Sequence, residues 1–149
     1  MHRFTSLAGL PLFTFVALTS WSASMASAES LKEQVVGKWS VDFEKSSQII
    51  KDERKSQVVK RAGDSGLKMT WEFKADGTTK LVLIIQGGDD KKSGKWKVLK
   101  EDGRVVDIEV IDDDGEDVDK LRITFLDKDL ITITMRSDKS TLAFRRFKK

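Results

Sequence analysis

The sequence predicts an all-β fold, an antiparallel up-and-down meander that closes into a small barrel or half-barrel. Three observations carry this. From Leu67 onward, apolar residues fall at every second position, the period of half-buried strands. Turn signals built on Asp and Gly recur between these runs, and strands joined by tight turns must pair antiparallel. The faces away from the core carry Lys, Glu, Asp and Arg, and a sheet of such strands loses its exposed edges best by closing on itself.

In chain order, Trp39, Val41 and Phe43 mark a first strand beginning at Gly37. Residues 47–61 leave room for one helix after it, with Ser47 as the expected N-cap, although Ile49, Ile50, Val58 and Val59 do not share one helical stripe. Met69, Trp71 and Phe73 then alternate with Thr70 and Glu72, and Ala75-Asp76-Gly77 turns the chain into a return strand over Thr79 to Gln86. Gly87-Gly88-Asp89-Asp90 is the next expected turn, followed by Gly94, Trp96 and Val98, and, after Asp102-Gly103, by Val106, Ile108 and Val110. Past an acidic loop, Leu121, Ile123 and Phe125 form one strand, Ile131, Ile133 and Met135 another, and Leu142 and Phe144 the last. The segment Leu81-Val82-Leu83-Ile84-Ile85 is apolar at both parities. Val82 and Ile84 therefore face water unless residues 47–61 cover them, or they offer an edge for self-association or a protein partner.

The first 28 residues read as a cleavable export signal. Met1-His2-Arg3 is a short basic start, Phe4 to Ala28 carries no charge, and Ala26-Ser27-Ala28 sets small side chains before a cut ahead of Glu29. The apolar part, Leu7 to Leu18, is too short for a permanent membrane helix. The expected product is a single β domain over residues 29–149, exported to the periplasm or beyond, with no membrane span. No Cys follows the apolar stretch, which excludes a lipoprotein anchor.

Removal of the signal excludes chemistry, because His2 and Pro11 are the sole His and Pro of the chain and Cys and Tyr are absent. Thiolate nucleophiles, imidazole bases, catalytic triads and His or Cys metal ligands have no side chains to use. Paired carboxylates stay formally available, yet Asp107 and Glu109 share a face with Lys-rich neighbours and read as cross-strand salt pairs. No enzyme, cofactor or metal is expected. Asp112-Asp113-Asp114-Gly115-Glu116-Asp117-Val118-Asp119 invites a calcium reading, but its spacing departs from the EF-hand loop and a solvated hairpin loop is expected instead. Without Arg3, the 27 Lys and Arg become 26 against 24 Asp and Glu, a net charge of +2. Cations and anions are interspersed, so no nucleic-acid partner is implied.

Gly37-Lys38-Trp39 at the start of the first strand resembles the Gly-x-Trp opening of lipocalins and lipocalin-like domains, and the meander and terminal Phe144-Arg145-Arg146-Phe147 run resemble small exported bacterial members of that group. The resemblance implies a barrel that often holds an apolar ligand. It also implies that Gly37, Trp39 and Arg146, or Arg145 by the other parity, close one barrel end, the guanidinium stacking on the indole. A second Gly-x-Trp, Gly94-Lys95-Trp96, sits where a meander strand is expected.

Barrels of eight strands lie near the size at which the interior is either filled or holds one small ligand. Two functions follow. The first is a non-enzymatic carrier whose cavity runs along Trp71, Phe73, Leu83, Trp96, Ile123, Phe125 and Ile133, with Arg146 as its convergent charge. The second is an interaction module, such as a periplasmic inhibitor or an envelope-assembly partner, with a filled core and an apolar patch around Val82 and Ile84.

Overall fold

Inward residues alternate with outward ones along the strands, and this alternation sets which neighbours pair. A computed structural model of the chain describes residues 30–148; the expected signal at residues 1–28 and its cut lie outside them. Eight strands close one antiparallel barrel in chain order: β1 (Gly37–Val41), β2 (Lys68–Phe73), β3 (Thr78–Ile85), β4 (Gly88–Asp102), β5 (Val105–Asp112), β6 (Val118–Asp127), β7 (Leu130–Met135) and β8 (Thr141–Arg146). The barrel is complete, because β8 pairs back onto β1 through Trp39 and Arg146. Inward residues meet inward residues around it: Trp39 opposes Trp71, Trp71 opposes Leu81, Trp96 opposes Val110, and Ile131 opposes Phe144. The buried core is drawn from these rows, with Trp39, Phe73, Ile108, Leu121, Ile123 and Ile131 fully enclosed.

Two ends result, and they differ. One gathers the start of β1, the end of β8 and the tight turns after β2, β4 and β6. Its plug is a short helix that periodicity did not announce, α1 (Leu31–Val35), whose Val35 is buried. The opposite end gathers the turns after β3, β5 and β7 and the long connection from β1 to β2.

That connection corrects the single helix expected over residues 47–61. It holds two, α2 (Phe43–Ile49) and α3 (Glu53–Asp64), separated at Ile50-Lys51-Asp52. Ser47 is no cap: Asp42 caps α2 by accepting from the Lys45 amide, and Asp52 caps α3 by accepting from the Arg54 and Lys55 amides. The Asp42 cap also stops β1 at Val41, so Phe43 is the first residue of a helix rather than the third inward residue of a strand. The pair does not cover β3. Its α2 docks on β8, where the buried Ser46 hydroxyl accepts from the Ala143 amide at 2.8 Å and donates to the Asp42 carbonyl at 2.6 Å. Ile84 stays 45% exposed and Ile85 56% exposed.

A further correction concerns the hairpin after β3. Gly88, Asp89 and Asp90 belong to β4, and Gln86-Gly87 alone makes the turn, Gly87 adopting a positive φ.

Ion pairs tie the outer face as the sequence suggests. Arg122 grips Asp107 across β5 and β6 with Nε–Oδ1 at 2.9 Å, and Lys97 approaches Glu109 at 4.0 Å. Asp42, besides capping α2, accepts from Arg145 on β8. Both carboxyls lie below their ordinary range. At Asp107 the Arg122 hydrogen bond dominates over a weaker upward pull from burial. At Asp42 burial is the largest influence and pulls upward, but the Lys45 amide and the Arg145 guanidinium together outweigh it. A depressed folded pKa contributes stability that is complete above the unfolded carboxylate value of about 3.9 and is lost as pH falls through the folded value. Urea unfolding is therefore expected to show stability held down to about pH 5 and falling below about pH 4. Asp107→Asn should lose less below about pH 4 than the parent does. An equal acid loss in parent and variant would remove Asp107 from the account.

Candidate ligand cavity

The inner face of the barrel divides into a filled half and an open half. In the filled half, aromatic rings lock together: Trp71 stacks on Phe73 at 5.4 Å, Phe73 meets Trp96 edge-on at 5.4 Å, and Trp39 meets Phe125 edge-on at 6.5 Å. Their polar atoms are satisfied. The Trp96 Nε1 donates to the Lys74 carbonyl at 2.9 Å, and the Trp71 Nε1 donates to the Thr79 hydroxyl at 3.0 Å, which in turn donates to the Glu72 carbonyl at 2.8 Å.

Beyond the Trp71 ring the side chains no longer meet, and a cavity of about 280 Å³ opens toward the helical end. Its apolar wall consists of Met69, Trp71, Leu81, Val110, Ile133, Met135, Leu142 and Phe144, one or two from each of five strands. Gly94 completes the wall without a side chain, because a Cβ there would stand 2.3 Å from the Ile111 carbonyl oxygen of β5. Toward solvent the lining turns polar, with Ser93 and Ser140, then Lys92, Asp112, Asp117 and Asp119. Among the described residues no buried side-chain nitrogen or oxygen lacks a partner.

A second space lies beside the first. A cleft of about 510 Å³ runs between the helix pair and β8, floored by Ile49, Ile50, Val59 and Leu142 and edged by Lys51, Arg54, Lys55 and Lys139. Ser140 and Leu142 line both spaces.

The far end of the barrel is shut. The Arg146 guanidinium lies 4.2 Å from the centre of the Trp39 ring, itself wholly buried. It donates to the carbonyls of Val36 at 3.1 Å, Gln34 at 2.8 Å and Lys128 at 3.2 Å, and to Asp129 at 3.2 Å. The Trp39 Nε1 donates to the Val35 carbonyl at 2.9 Å. Gly37 adopts φ of 141°, and a Cβ there would stand 2.7 Å from an Arg146 nitrogen, so the glycine admits the guanidinium. Arg145 points outward to Asp42 instead.

Of the residues placed along the cavity from sequence, Trp71 and Ile133 line it. Phe73, Trp96, Ile123 and Phe125 are buried in the filled half beneath it, and Leu83 stands half-buried on β3, opposite Met69. Arg146 belongs to the closed end, so it is no convergent charge for the cavity. The charged residues at the mouth were legible all the same. Lys92 continues the inward row of Gly94 and Trp96, Asp112 that of Ile108 and Val110, and Asp119 that of Leu121 and Ile123. The acidic stretch is thus less of a loop than expected: β5 runs to Asp112, β6 starts at Val118, and only five residues turn between them.

No family model matches the chain, and no curated protein does. Among solved structures it is similar to As-p18, an extracellular fatty acid binding protein, at 13% identity and a TM-score of 0.39, over 80% of this chain and 100% of that one. A fit this loose carries over no ligand.

Proposed function

We propose that this chain is an exported, non-enzymatic carrier of the lipocalin-like kind, which holds one small apolar molecule in the open half of its barrel. The observation that carries the reading is the apolar cavity above the closed aromatic floor. A well-packed interior leaves few voids larger than a water molecule, whereas this one leaves about 280 Å³ behind a largely apolar wall. Ligand sites in general begin near roughly 300 Å³, which suits a single short chain or one small ring system. Met69 and Met135 suit adaptable packing, since a thioether chain refits itself to varied shapes. Export rests on residues 1–28, and the ligand contacts are assigned to Trp71 and Ile133 together with Met69, Leu81, Val110 and Met135.

Titration with the neutral fluorophore N-phenyl-1-naphthylamine tests this. Saturable one-to-one binding with quenching of tryptophan emission is expected, because Trp71 forms the cavity floor. A linear, unsaturable signal with unchanged tryptophan emission would dismiss the carrier. The exposed pair Ile84 and Ile85 favours a second reading, a docking module for a protein partner or a second copy. In that case Ile84→Lys would abolish association and leave fluorophore binding as it was.

A further inference from the structure

The ends of the cavity say which part of an amphiphile goes where. Its floor is the Trp71 ring, whose nitrogen is already engaged by Thr79, and Thr79 is itself engaged by Glu72. Ser140, on the wall, donates to Asp138. A polar head placed deep in the barrel would lose its water and find no free partner, a loss that outweighs any gain in packing. The head therefore stays at the mouth and the chain points inward.

The mouth is charged, and the balance is negative. Lys92 stands against Asp112, Asp117 and Asp119 in the lining. Asp112 and Asp119 lie on the inward rows of β5 and β6, half-buried, where they face the mouth rather than bulk solvent. Among the described residues none of the four side chains makes an ion pair or side-chain hydrogen bond, so no direct partner neutralises them. They are also not gathered as a metal-holding group, since no such group exists among the described residues. Arg146, the one cation that strand parity sends inward on β8, is spent on the closed end.

We infer that the cavity selects single-chain amphiphiles with a cationic head, taking an alkylammonium in preference to a carboxylate of the same length; the inference rests on the carrier reading above. An ammonium beside three carboxylates is attracted within a Debye length of about 8 Å at physiological salt, and a carboxylate there is repelled. The basic edge of the neighbouring cleft supplies the competing arrangement. A chain in the cavity with its head turned past Leu142 and Ser140 would meet Lys51, Arg54 and Lys55, and would reverse the preference.

Competition against bound N-phenyl-1-naphthylamine by dodecylamine, dodecanol and dodecanoate separates these arrangements, at pH 7, low salt and concentrations below micelle formation. Dodecylamine is expected to displace the probe at roughly tenfold lower concentration than dodecanoate, with the gap narrowing in 0.5 M salt. Asp112→Asn with Asp119→Asn should shrink the amine-to-carboxylate ratio several-fold, and Lys92→Gln should widen it. Equal potency of the two charged chains, or a dodecanoate preference erased by Arg54→Gln with Lys55→Gln, would overturn the inference while leaving the carrier intact. Failure of all three chains, dodecanol included, would overturn the carrier reading and the inference with it.

Discussion

Replacing Trp39 with alanine is expected to lower the unfolding free energy by about 3–5 kcal/mol, the usual cost of deleting a fully buried tryptophan. The ring is wholly buried, meets Phe125 edge-on, and offers its face to the Arg146 guanidinium at 4.2 Å. Its removal would open a void at the closed end and leave four guanidinium hydrogen bonds to hold α1 and the β6–β7 turn without their platform. A domain of this size commonly has about 5–15 kcal/mol in total, and no disulfide stands behind it, as the chain has no Cys. Urea unfolding of Trp39→Ala, Arg146→Ala and the double variant measures both the loss and the coupling. The pair is expected to couple by about 0.5–2 kcal/mol, the range of a partly desolvated cation–π contact. Additive losses would mean that the guanidinium is held by its carbonyl acceptors alone. A Trp39→Ala cost under about 1 kcal/mol would deny that the indole closes the barrel. Arg146→Lys should rescue little, because an ammonium cannot reproduce a planar fork spread over three carbonyls and a carboxylate.

The barrel was legible because strands announce themselves by a period of two. Every inward residue named from Trp71 to Phe144 lies on the strand expected for it, and Gly37, Trp39 and Arg146 come together at the closed end. The helices were less legible for a physical reason. Helix α3 fully buries no residue and α2 fully buries only Ser46, so their inner faces are narrower than the apolar stripe by which a packed helix is recognised. The caps were the usable signal. Asp42 and Asp52 stand immediately before the two helical runs, and aspartate is as good an N-cap as serine. At the mouth the difficulty lay in residue type rather than period. Asp112, Asp119 and Lys92 keep the inward parity of their strands, but charge is ordinarily taken as a mark of the wet face. Where a barrel ends, the inward row runs out of core and reaches solvent, so polar residues on inward parity mark a rim.

Filling the open half should separate binding from stability more sharply than any other change. Val110 is half-buried on β5, opposite Trp96 and Asp119, and its side chain lines the cavity. Val110→Trp would place an indole into empty space, so the affinity for N-phenyl-1-naphthylamine should fall at least about tenfold, or about 1.4 kcal/mol. Overpacking a filled core costs about 1–3 kcal/mol, but here the added atoms occupy a void, and the melting temperature should hold or rise. Ile108, two residues earlier on the same inward row, is wholly enclosed in the filled half. Ile108→Trp should therefore carry the full overpacking cost. If both variants lose stability alike and Val110→Trp still binds the fluorophore as the parent does, the two halves of the barrel are equally packed and no cavity is available to a ligand. If they diverge as expected, the empty volume is kept at a cost in packing that a small barrel without disulfides would otherwise recover. That divergence is what selection for an occupant, rather than for stability, would leave behind.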